Sequence, residues 1–122
     1  MNETDARRRI ETLATRARAD RAAFDPPADP PDEERALAYL RDGAGEAVGL
    51  YVEARVDGFV HVPPEAYDDL EDAMNTWLEL YAACHGVDID ADFTVRTAAE
   101  LLLETHDITD TAAMLTRVGD GA

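Results

Sequence analysis

The sequence predicts an α+β domain, and three observations carry that prediction. Residues 48–62 alternate apolar and polar side chains in the period of a half-buried β-hairpin, and residues 64–85 repeat apolar side chains at helical spacings. Both follow a proline-rich break after one arginine-rich helix. A chain of 122 residues supports one core of ordinary size, which buries roughly two thirds of the unfolded surface. It divides into a basic N-terminal helix at 1–24, a Pro-rich linker at 25–32 and a single α+β domain at 33–122. The expected order within that domain is a short helix, the β-hairpin, a long amphipathic helix and two C-terminal helices.

Ala6, Ile10, Leu13, Ala17 and Phe24 share one face at helical spacing, which predicts a helix over 5–24. The two proline pairs between Asp25 and Asp32 lack backbone donors and hold the chain extended. Asp29 can cap the short helix that follows, with Leu37 and Leu40 facing inward and Gly43 ending it.

The periodicity then changes. Val48, Leu50, Val52 and Ala54 alternate with Gly49, Tyr51, Glu53 and Arg55, and a second strand is expected at Phe59 to Val62. Two registers are open at the turn. A two-residue Asp57-Gly58 turn turns His61 inward and leaves Val60 and Val62 outside. A three-residue loop with Gly58 left-handed instead buries Val60 and Val62, and it sets Tyr51, Phe59 and His61 together on the outer face. The second register is preferred, because it buries the valines.

Pro63 and Pro64 end that strand and start the long helix. Tyr67, Leu70, Met74, Trp77, Tyr81 and Cys84 form its apolar stripe, Asp68, Asp72, Asn75 and Glu79 its polar face, and Gly86 its stop. A further helix is expected over 95–105 with Thr94 as cap and Ala98, Leu101 and Leu102 inward. The last is expected from about 110 to 118, capped by Thr109, with Ala113 and Met114 inward.

The composition restricts the function classes. There are 27 acidic residues against 11 arginines and no lysine, for a net charge of -16. Residues 1–24 carry +2, from six arginines less Glu3, Asp5, Glu11 and Asp20, so the remainder carries -18. This Lys-free, Asp- and Ala-rich balance resembles the small acidic cytoplasmic proteins of salt-in halophilic archaea, in which molar salt shortens the Debye length to roughly 3 Å. The resemblance implies an environment and no activity. With no apolar run of the roughly 18–20 residues that a bilayer requires and no leader-like start, a cytoplasmic location is expected.

Chemistry-bearing motifs are sparse. The chain has no serine, no glycine-rich phosphate loop and one cysteine, Cys84, read as a small buried hydrophobe. Asp88, Asp90 and Asp92 hold the first, third and fifth positions of a calcium loop, but Phe93 replaces its glycine and Ala99 its glutamate. Cys84 and His85 point about 100° apart on a helix and cannot readily share a metal. No catalytic residue, metal site or cofactor is therefore expected.

The expected role is a small non-enzymatic protein-interaction or regulatory module, homodimeric and acting on a protein partner. Tyr51, Phe59 and His61 are the surface candidates, with Tyr67, Trp77 and Tyr81 as aromatic interface anchors. The alternative is a nucleic-acid-associated regulator using Arg7, Arg8, Arg9, Arg16, Arg18 and Arg21. A metal- or thiol-dependent enzyme built on Cys84 ranks last.

Overall fold

The computed structural model describes residues 1–56 and 60–119, and these form an all-helical bundle. In chain order the helices are α1 (Glu3–Ala23), α2 (Glu33–Tyr39), a π turn (Leu40–Ala44), α3 (Gly45–Val56), α4 (Pro64–Cys84), α5 (Val95–Thr105) and α6 (Ile108–Thr116). No strand occurs among the described residues, so the α+β expectation is corrected to all-α. The first expected strand is α3, and 60–63 has no regular structure. The Asp57-Gly58 turn and Phe59 lie outside the described residues.

The starts of the helices follow from local chemistry. Asn2, Asp32, Thr94 and Asp107 each accept a hydrogen bond from the backbone N–H three residues on. Each such cap is worth about 1 kcal/mol. Two of the expected caps move: Asp32 takes the place of Asp29, and Asp107 that of Thr109. Pro63 precedes α4, and Gly86, at φ 78°, follows its end.

Helix α4 is the axis of the bundle, and Leu70, Met74, Trp77, Leu78, Tyr81 and Cys84 are all buried along it. Helix α1 runs beside it in parallel. Arg7 pairs with Glu65 at 3.7 Å, Asp20 accepts from Trp77 Nε1 at 2.8 Å, and Arg21 pairs with Glu79, so contacts advance in step along both helices. Ala6, Ile10, Leu13, Ala14 and Ala17 are the buried face of α1, which makes it part of the common core. The proline segment is held as well. Asp32 N–H donates to the Cys84 carbonyl at 2.8 Å, and Arg35 donates to the Asp25 carbonyl at 2.7 Å while stacking over Phe24 at 4.7 Å.

Trp77 explains the π turn's composition. Its ring is fully buried against Gly43, where any Cβ would lie less than 3 Å from the ring carbons. Gly43 therefore ends no helix. It lies inside a helical run from 33 to 56 that passes through the π turn and over the indole. From α1, Arg16 closes the same place: it donates to the Asp42 carbonyl, pairs with Glu46 at 2.9 Å and lies 5.7 Å from the Trp77 ring centre.

Helix α3 packs against α1, α4 and α5. Ala47, Val48, Leu50 and Ala54 are buried, and Tyr51 and Val52 are half-buried. A helix covered from several directions buries residues at one, two, three and four positions apart. Its apolar residues then fill more than one stripe, and a period of two can be traced through them.

Candidate functional site

Of the six aromatic and histidine candidates, the structure sends two inward. Trp77 is 0 % exposed, and Tyr81 is 2 % exposed with its hydroxyl donating to the Val118 carbonyl at 2.6 Å. Both are internal to this chain: the stripe of α4 that was expected to anchor an interface covers α1, α2, α3 and the C-terminal segment. Tyr51 and Tyr67 are half-buried and meet edge to face, with ring centres 6.0 Å apart. His61 is exposed beyond the end of α3, and Phe59 lies outside the described residues. The proposed outer face of Tyr51, Phe59 and His61 depended on a hairpin, and neither of its strands is present among the described residues.

The arginines of α1 mostly face acids of their own chain. Arg7 lies 3.7 Å from both Glu3 and Glu65, Arg9 2.9 Å from Glu53, and Arg16 and Arg21 pair with Glu46 and Glu79. Arg18 donates to Thr15 at 3.4 Å. Arg8 is exposed, and its guanidinium has no acidic partner among the described residues. A phosphate backbone would have to compete with these internal carboxylates for four of the six cations.

Cys84 is fully buried, and burial pushes its thiol above its ordinary pKa, with the neighbouring Arg35 guanidinium opposing that rise. A thiolate nucleophile is disfavoured there. The consequence for stability has a definite sign. The folded chain holds the thiol proton more tightly than the unfolded chain, so this contribution is complete below about pH 8.5 and is lost as pH rises toward the folded value. Tyr39 is raised as well, chiefly by burial, and adds a loss at higher pH. Urea midpoints should therefore fall between about pH 8 and pH 10, and Cys84→Ala should flatten the lower part of that fall. An unchanged slope in Cys84→Ala would show that the thiol is not its source.

The acidic loop between α4 and α5 is attached through side chains of α4. Asn75 exchanges two hydrogen bonds of 3.0 Å with the Phe93 backbone, and Glu79 and Glu71 accept from the Ala91 and Val95 N–H groups at 3.0 Å. Asn75 and Glu79 thus serve as the loop's docking points, although periodicity placed them on the polar face. Among the described residues no three His, Cys, Asp or Glu side chains converge as metal ligands. No helix among them is long and apolar enough to cross a membrane.

A surface that combines two large exposed apolar groups with a concavity lies between α3 and α5. Val56 is 78 % and Leu103 61 % exposed, and both line a groove of about 400 Å³ floored by Ala99, Val52 and Tyr51. Arg55, Arg96 and Glu100 form its charged rim, with Arg55 lying 6.0 Å from the Tyr51 ring centre and Arg96 3.2 Å from Glu100. Of the candidate site residues that are described, Tyr51 alone lines this groove. Leu103 carried a signal that was missed. Leu101, Leu102 and Leu103 are consecutive, and neighbours on a helix point about 100° apart, so the three cannot all face one core. Val56 gave none, because the preferred register of the expected hairpin makes it the first residue of the three-residue loop Val56-Asp57-Gly58.

A family model described as a domain of unknown function, DUF8055, matches residues 4–120. No curated protein and no solved structure matches the chain.

Proposed function

The chain belongs to the DUF8055 family, and we propose that it is a non-enzymatic protein-interaction module that associates with a second copy of itself through the α3–α5 groove. The observation that carries this reading is the pairing of Val56 and Leu103, two large apolar side chains exposed at one groove on a chain of net charge -16. Scattered exposed apolar residues are ordinary, whereas two that share a concavity with a charged rim are what an interface core requires. The rim holds both signs. A two-fold axis beside α5 would set Arg96 of one copy against Glu100 of the other, so one patch can complement itself. The Lys-free acidic composition supports molar salt as the working environment, where short-range apolar contact outlasts long-range charge repulsion.

The role of nucleic-acid regulator is less well supported, because the α1 arginines already face Glu46, Glu53, Glu65 and Glu79. A thiol enzyme is disfavoured by the burial of Cys84.

Light scattering in molar KCl tests the proposal. The wild-type mass should rise with concentration toward that of two chains of 13.3 kDa, and Leu103→Glu and Val56→Glu should each hold the mass at one chain while leaving the helical circular dichroism intact. A wild-type mass of one chain at every concentration would sink the self-association reading.

A further inference from the structure

We propose that the groove between α1 and α3 binds a small amphipathic organic anion, its acid group on Arg8 and its apolar body over Gly49. The groove is about 520 Å³, within the range of small-molecule sites. Two ion pairs frame it: Arg9 with Glu53 and Arg16 with Glu46, both at 2.9 Å. The pairs are seven residues apart on each helix and run in opposite chain directions, so they stand roughly 10 Å apart along antiparallel helices. Thr12 and Leu13 on α1, and Gly49 and Leu50 on α3, lie between these rungs. Leu13 and Leu50 are buried and make the base apolar.

Gly49 is the observation that points to an occupant. Glycine in a helix interior is unfavourable relative to alanine, and elsewhere in this helical run the fold needs it. A Cβ at Gly43 would strike Trp77, and one at Gly45 would strike the Leu40 carbonyl. At Gly49 a Cβ would meet nothing within 4 Å. Packing therefore gives no reason for glycine there, and its effect is to widen the floor of the groove midway between the two rungs.

Charge selects the class of ligand. The rungs neutralise themselves, while Arg8 stands at the wall without an acidic partner among the described residues. The site therefore offers one cation beside an apolar floor about two helical turns long. A linear carboxylate of medium length matches both. This surface is separate from the α3–α5 groove, so the inference does not rest on self-association.

Octanoate is the probe, with inorganic phosphate as the second arm, titrated into the full chain in molar KCl and followed by calorimetry. Octanoate should bind with one-to-one stoichiometry. Arg8→Ala should weaken it by about tenfold, the loss of one charge-assisted contact. Gly49→Leu should abolish it by filling the floor, with thermal stability equal to or above wild type as proof of folding. Absence of octanoate binding at millimolar concentrations, binding that survives Gly49→Leu, or phosphate binding as tightly as octanoate would each overturn the proposal.

Discussion

Gly43→Ala should destabilise the fold by about 2–3 kcal/mol, the usual scale of an overpacked core, even though alanine is the better helix former. The added methyl would lie less than 3 Å from the Trp77 ring, which is fully buried and has its indole N–H donating to Asp20 at 2.8 Å. The ring cannot retreat without giving up that bond. In thermal melts the midpoint should drop by roughly 10 °C or more for a domain of this size. Trp77→Phe in the same background should recover part of the loss, because the smaller ring makes room, so the two changes should be non-additive. Gly49→Ala is the control: with open space around its Cβ it should be neutral or stabilising. A Gly43→Ala protein as stable as wild type would mean that the indole does not press on the π turn.

Arg16→Ala should have the second large effect, about 1–2 kcal/mol, from one side chain that makes three contacts of different kinds. Arg16 pairs with Glu46, donates to the Asp42 carbonyl in the π turn and faces the Trp77 ring. Arg9→Ala removes a pair with Glu53 at the same 2.9 Å distance but without the ring or carbonyl, and an exposed pair of that kind contributes less than about 1 kcal/mol. The comparison should be made in molar KCl, where the ion-pair component of both is screened. Equal losses for the two variants would show that the contacts with the ring and the carbonyl contribute nothing.

Much of the helical framework was legible. The stripe from Tyr67 to Cys84, the proline start and the Gly86 stop locate α4, and Thr94 locates the start of α5. Helix α3 was not legible and read as a hairpin strand instead, and the reason lies in particular residues. Gly43 read as the end of a short helix and Gly49 as an outward position of a strand, yet Gly43 is required by Trp77, which lies 34 positions further along the chain. Val48, Leu50, Val52 and Ala54 alternate as a strand would, but α1, α4 and α5 together cover the helix that carries them. The candidate grooves were hidden for the same reason. Gly49 and Leu50 open toward α1, and Val52 and Val56 toward α5, so α3 supplies one wall of each groove and neither wall can be assigned before α3 is known to be a helix.

By itself the sequence determines which segments must be helices, wherever one apolar stripe faces one core and a cap or glycine marks the end. It also determines the electrostatic character, since -16 follows from residue counts alone. Only the tertiary structure decides the state of residues 45–56 and which aromatic residues are internal. Local preference there is close to balanced between helix and strand, and burial against three other helices outweighs it.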